Sequence, residues 1–162
     1  MSWVLHRVDD RLIHGQVVVA WGHRLNPARI WVVDDAVAAN AWERELLESS
    51  APGIAVRVYP IAEAAAAWEA EREAAGAAFL LVRDLPTALR LAAAGAAFTH
   101  LNLGGLHYAP GKTKVNEYVY LDDADRAAAR ALIARGVRLE VQDVPAARAV
   151  MLAELDPQSA SA

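Results

Sequence analysis

The 162-residue sequence contains no cysteine, which excludes disulfides, thiolate zinc sites and a cysteine nucleophile. Lysine is nearly absent too: Lys112 and Lys114 are the only two among 16 basic residues, and the other 14 are arginine. No segment approaches the ~20 consecutive apolar residues that a membrane helix requires. The greasiest stretches, residues 17–21 and 62–68, are short or alanine-rich. There is no excess of positive charge either. A formal net charge of −4 and a pI near 5.7 give no general attraction to nucleic acid. The opening MSWVLHRVDDRLIH meets charge too early for a secretory signal. The expectation is a soluble, cytoplasmic protein.

What is present suits one compact domain. Hydrophobic residues make up 56% of the chain and the mean hydropathy is +0.16, too apolar for a disordered polymer. Alanine occurs 37 times, and with the arginine bias this reads as the imprint of a GC-rich genome.

Short apolar runs alternate with helical patterns. Strands are expected at residues 3–8, 30–33, 56–59, 79–82, 99–103, 118–121 and 137–141. Helices are expected at about 15–25, 36–49, 61–75, 85–94, 122–134 and 145–155. Asn26-Pro27 ends the first helix, since a proline disfavours helix in the residue before it. Asp122 caps the fifth of these helices from its start and Gly136 stops it. Residues 104–116, with glycines, a proline and few apolar side chains, read as a long functional loop, and 156–162 as a flexible tail. Six or seven strands separated mostly by helices imply a single-domain α/β fold: an open, mostly parallel twisted sheet with helices on both faces, over residues 1–155. In such sheets ligands bind beyond the carboxyl ends of the strands. Those positions hold Asp9 to His14, Asp34-Asp35, Arg83-Asp84 and Gly104 to His107.

Several motifs fail. No GxGxxG follows the first strand. Gly105 to Thr113 resembles a P-loop, but five residues separate its glycines where a P-loop has four, and a strand-like segment follows it. The five histidines are scattered without metal-ligand spacing. The first βα loop is different. His14 stands where the loop turns into a helix, with the amides of Gly15, Gln16 and Val17 free of helical partners. Arg11 offers a guanidinium whose planar fork matches phosphate oxygens. A ring nitrogen, a permanent cation and free amides at a helix start are the parts a phosphohistidine needs. The alternative at this point is that His14 caps the helix and Arg11 pairs with Asp9 or Asp10.

The string RVDDRLIHGQVVVAWG at positions 7–22 resembles the signature of the IIB component of the mannose/fructose/sorbose family of the bacterial sugar phosphotransferase system. The likeness continues in Asn26-Pro27, VVDDAVAANAWER (32–44), LVRDLPTALRLAAAG (81–95) and LNLGGLHYAPGKTKVNEYVYL (101–121). This resemblance implies that His14 is the phosphorylated histidine and Arg11 the residue supporting its phosphoryl group. It also implies a IIA donor, a sugar held by membrane IIC and IID components as acceptor, peripheral association with those membrane partners, and no cofactor or metal. Many other IIB families use a phosphocysteine, which this chain cannot form. The base that takes the sugar's proton is expected on the membrane partner.

Asp10, Asp35, Arg83 and His107 are further candidates for lining the site. For Asp9 and Asp10 the choice is between orienting Arg11 or the His14 ring and a structural role, which is the simpler; at least one of them should point away from a phosphoryl group or pair with an arginine. For Asp34, Asp35, Arg83 and Asp84, shaping loops is the simpler role. His6, His23 and His100 read as structural, and the five tryptophans as core or domain-edge residues, where a partly exposed one would mark docking. Lys112 and Lys114 read as solvated charge or as aids to a partner's approach. A regulatory protein whose phosphohistidine signals without sugar transport has the same sequence requirements. So, more remotely, has a flavodoxin-like phosphate-ligand binding domain.

Overall fold

A computed structural model describes residues 2–161. Strands β1 (Trp3–Asp9), β2 (Arg29–Val33), β3 (Ala55–Tyr59), β4 (Ala78–Val82), β5 (His100–Gly105), β8 (Arg138–Val141) and β9 (Val150–Met151) form one sheet in the order β3-β2-β4-β1-β5-β8-β9. All neighbours are parallel except β8 and β9. Strand β4 shows why: Ala-Phe-Leu-Leu-Val is buried at all five positions, as a strand covered on both faces must be.

The helices divide between the two faces. On one side α2 (Asp35–Ala39), α3 (Ala41–Glu48) and the helical segment after β1 enclose Leu5, Leu12, Val17, Trp21, Ile30, Val32 and Phe79. On the other, α4 (Ile61–Glu73), α5 (Leu85–Ala93) and α6 (Asp123–Ala134) enclose Val8, Trp31, Trp68, Leu80, Val82 and Leu103. From β1 the chain runs to the β2 side of the sheet, and from β5 it runs the opposite way, to β8. The connections diverge between β1 and β5, which opens a crevice beyond their carboxyl ends.

Four local expectations are corrected. Residues 36–49 are two helices, because Asn40 is extended and its side chain accepts from the Glu43 N–H at 3.1 Å, capping α3. Residues 15–25 begin as a π-helical turn, Gln16–Trp21, and continue as α1 (Gly22–Leu25). The Gly22 N–H reaches back five residues to the Val17 carbonyl, in a run of β-branched valines that fits a regular α-helix poorly. Residues 104–116 are not one loop. Gly104 and Gly105 complete β5, Leu106 bridges to Val119, and β6 (Thr113–Lys114) pairs antiparallel with β7 (Tyr120–Leu121).

The fourth correction is the C-terminus. In place of a helix over 145–155, Val150 and Met151 add an antiparallel edge strand to β8, and only α7 (Leu152–Leu155) is helical. The segment expected to be loose is anchored by Asp156, which accepts from Arg126 Nε at 2.9 Å and from the Ser159 hydroxyl; Ser159 is fully buried. Of the expected tail, Ala162 lies outside the described residues, as does Met1 of the expected domain.

His6, inside β1, packs among Trp3, Trp68 and Phe98. Burial lowers its pKa to about 4 and outweighs the hydrogen bond to the His100 carbonyl that would raise it. The unfolded chain therefore takes up this proton first as pH falls. His6 contributes stability that is complete above about pH 6.5, is lost between 6.5 and 4, and does not change further below 4. The loss amounts to about 3 kcal/mol. The stability of wild type relative to His6→Leu, from urea unfolding, should fall by about 3 kcal/mol across this window as pH falls; a pH-independent difference would contradict the assignment.

Candidate functional site

The crevice is built around one carboxylate. Asp9 ends β1 with no exposed side-chain surface, and five donors converge on it. Oδ1 accepts from the backbone N–H of Arg11 at 3.1 Å and from Arg11 Nε at 3.2 Å. Oδ2 accepts from Arg7 Nη2 at 3.1 Å, Arg11 Nη2 at 3.3 Å and His14 Nε2 at 2.9 Å. Burial pushes the Asp9 carboxyl up, but the hydrogen bonds from His14 and Arg11, with the positive charge of its neighbours, overcome this and hold it well below the usual range. An ionised carboxylate only accepts, so the His14 proton must sit on Nε2. Nδ1 is then the nitrogen with a free lone pair.

Local backbone makes this possible. Leu12 has φ 57°, left-handed for a non-glycine residue, and its side chain is buried in the core. This single inversion tightens the loop so that a residue five positions on returns to Asp9. Gly15 precedes the π-helical turn, and the first helical-type bond in this region runs from Val18 N–H to the His14 carbonyl at 3.0 Å. The amides of Gly15, Gln16 and Val17 stand ahead of that bond. A Cβ at Gly15 would meet nothing within 4 Å, so the space beside His14 is open.

Beneath the site lies Arg7, fully buried in mid-strand. Besides Asp9, its guanidinium donates to Asn102 Oδ1 at 2.6 Å and to the carbonyls of Gln142 and Asp143 at 3.1 and 2.9 Å. Burial lowers its pKa and the Asp9 charge opposes that. Trp21 stacks over it at 5.4 Å and donates Nε1–H to the same Asp143 carbonyl. Room for Arg7 comes from a bulge: Val8 pairs with Leu103 but Asp9 with Gly105, so Gly104 is the extra residue. A Cβ on Gly104 would fall 1.8 Å from Arg7 Cζ.

Of the candidates read from sequence, His14, Arg11 and Gly15 to Val17 come together here. The alternative pairing of Arg11 with Asp9 is also present, and Arg11 reaches Gln16 Oε1 at 3.1 Å, but His14 does not cap the helix. Asp10 turns away from His14 and binds His107, accepting from its ring Nδ1 at 2.6 Å and its backbone N–H at 2.7 Å. Asp35 and Arg83 bond elsewhere: Asp35 accepts from the Ile61 N–H, and Arg83 donates to Glu43. Asp34 and Asp84 cap α2 and α5. Lys112 is tied to Asp125 at 2.9 Å and is not a free approach charge. Trp3, Trp31 and Trp68 form an aromatic cluster, and Trp42 is 73% exposed.

His14, Arg11 and the amides of Gly15 to Val17 thus share one strand-to-helix loop. A sequence model described as the PTS system sorbose subfamily IIB component matches residues 3–159. The chain belongs to this family of phosphotransferase-system IIB components. It is 37% identical over 141 residues to the mannose-specific EIIAB component of Escherichia coli strain K12, covering 86% of this chain and 44% of that protein. The chain thus spans under half the length of that two-part relative. Against the N-acetylgalactosamine-specific phosphotransferase enzyme IIB component 2 of the same strain, 37% identity extends over 94% of this chain and 97% of the relative. The IIBSor domain of the sorbose permease from Klebsiella pneumoniae superposes with a TM-score of 0.88 at 32% identity, covering 98% of both chains. As a IIB component, the protein shares the fold of that solved IIB domain. Among the described residues, no helix is long and apolar enough to cross a membrane.

Arg7, which the sequence reading did not select, and Asp9, for which it favoured a structural role, organise the His14 loop. The available signal was an arginine inside an apolar strand, where an unpaired charge would be costly. Gly104→Ala should displace Arg7 and lower stability by roughly 3 kcal/mol or more, whereas Gly15→Ala should leave it nearly unchanged. Thermal unfolding of the two variants beside wild type checks this, and equal melting temperatures would contradict it.

Proposed function

We propose that His14 carries a phosphoryl group from a phosphohistidine of a IIA component to a sugar held by membrane IIC and IID components, on the cytoplasmic side. The observation that carries this reading is the Asp9–His14 contact at 2.9 Å, which leaves Nδ1 as the nucleophile beside Arg11 and the amides of Gly15, Gln16 and Val17. Loading is an in-line displacement: the Nδ1 lone pair attacks phosphorus, and the donor imidazole leaves with its electron pair. Positive charge spreads into the His14 ring as the N–P bond forms, and Asp9 stabilises it through the Nε2–H bond. The same proton matters in delivery. With Nε2 protonated, cleavage of the P–Nδ1 bond releases neutral imidazole, a far better leaving group than the anion.

Arg11 is bound to Asp9 and Gln16 through Nε and Nη2, and Nη1 takes no part in those contacts. In this role it meets the equatorial oxygens of the transferring group. The sugars named for the similar proteins, mannose, N-acetylgalactosamine and sorbose, favour a hexose, a ketohexose or an amino sugar as the acceptor class.

Incubation with phosphoenolpyruvate, enzyme I, HPr and a IIA component, followed by intact-mass measurement, should add one acid-labile phosphate. His14→Ala should remain unmodified, and labelling of that variant would refute the reading. Arg11→Ala should fold normally and exchange phosphate about 10²-fold more slowly in both directions; a wild-type rate would remove Arg11 from the mechanism.

A further inference from the structure

Loading and delivery differ in their protons. Transfer between imidazoles needs no base, because the attacking nitrogen is already a free lone pair. Transfer to a sugar hydroxyl does, because the attacking oxygen must shed its proton. Asp9 and Arg11 are committed to His14 and the phosphoryl group, so neither supplies that base.

The neighbouring carboxylate holds a second histidine. Asp10 accepts from His107 Nδ1 at 2.6 Å, as Asp9 accepts from His14 Nε2 at 2.9 Å. Adjacent residues thus orient two imidazoles through opposite ring nitrogens. The Asp10 N–H donates to the Gly105 carbonyl at 2.9 Å, and a Cβ on Gly105 would lie 3.2 Å from both Arg11 Nη2 and Asp9 Oδ1. His107 follows two residues later, on the β5 wall of the crevice whose β1 wall carries His14. In the neutral ring, with Nδ1–H given to Asp10, Nε2 is the acceptor nitrogen of His107, and its side chain is 51% exposed. A carboxylate fixing one ring nitrogen and leaving the other to take a proton is the arrangement of a general base.

We propose that His107, oriented by Asp10, in place of the group expected on the membrane partner, is the general base that deprotonates the sugar hydroxyl during delivery from phospho-His14; this rests on the carrier reading given above. As the hydroxyl oxygen forms its bond to phosphorus, its proton passes to His107 Nε2. The P–Nδ1 bond of His14 breaks with its electron pair returning to Nδ1. The products are the sugar phosphate, neutral His14 still bonded to Asp9, and an imidazolium at His107 paired with Asp10, which solvent then deprotonates.

The competing role is a latch, since Asp10 also accepts from the His107 backbone N–H at 2.7 Å and so ties the β5 loop to β1. His107→Gln separates the two: its amide N–H can still donate to Asp10, but it has no basic nitrogen. The full-length protein is loaded with radiolabelled phosphate from a phosphorylated IIA component. It is then mixed, under rapid quench, with inverted vesicles bearing the cognate IIC and IID components and mannose, sorbose or N-acetylgalactosamine. His107→Gln should load within twofold of wild type and deliver about 10²-fold more slowly. Asp10→Asn should slow delivery to a smaller extent without slowing loading. Delivery by His107→Gln at the wild-type rate, or loading and delivery slowed by the same factor, would overturn the proposal. Wild-type protein that loads but delivers to none of the acceptors would refute sugar transfer and the base together. Wild-type protein that never loads would instead refute the carrier reading itself.

Discussion

A buried carboxylate that receives five donors from Arg7, Arg11 and His14 is the constraint on which the site rests. Burial alone pushes the Asp9 carboxyl up, and a neutral acid would hold three potentially cationic groups less well. Its partners keep it ionised, and in return it fixes each of them: Arg7 in the floor, Arg11 at the rim, and His14 in the tautomer with Nε2–H. Removing Arg7, the fully buried partner, is expensive, because the charge left behind has lost its solvation, whereas Arg11 lies at the partly exposed rim. The rest of the fold can be read as provision for this cluster. The bulge at Gly104 admits the Arg7 guanidinium, the inverted backbone at Leu12 brings His14 back to the strand end, and the 142–143 carbonyls cap Arg7 from the far side.

The sheet order explains why two loops distant in sequence meet there. Connections leave β1 and β5 in opposite directions, so residues 9–14 and 104–107 are the two walls of one opening. Adjacent aspartates then serve different walls. Asp9, the last residue of β1, turns to the interior, and Asp10, one residue on, turns to the β5 loop and His107. Each imidazole is left with one nitrogen fixed and one available, as the proposed exchange with a nitrogen on one side and an oxygen on the other requires.

Much of this was legible in the sequence because it depends on local pattern. The alternation of apolar runs and helices gave the parallel sheet, and the loop DDRLIH gave His14 and Arg11. Asp122 and Gly136 marked the limits of α6. What was not legible depends on tertiary register. Which of two neighbouring aspartates faces the histidine depends on the inverted backbone at Leu12 and on how β1 meets β5, a pairing between residues some 95 apart. The burial of Arg7 is decided by the same pairing. The break at Asn40 carried a local signal, a helix-capping residue inside an otherwise helical stretch. The edge strand at 150–151 carried none, since its hydrogen bonds are made to β8.

The tautomer of His14 tests the central claim most directly. In protein labelled with ¹⁵N at histidine, two-bond ¹H–¹⁵N correlations report which ring nitrogen bears the proton, and ³¹P–¹⁵N coupling after loading reports which bears phosphorus. With Asp9 in command of the ring, unmodified His14 is the Nε2–H tautomer and the loaded protein carries phosphorus on Nδ1 with Nε2 still protonated. A proton on Nδ1 before loading, or phosphorus on Nε2 after it, would mean that Asp9 does not set the chemistry of this site.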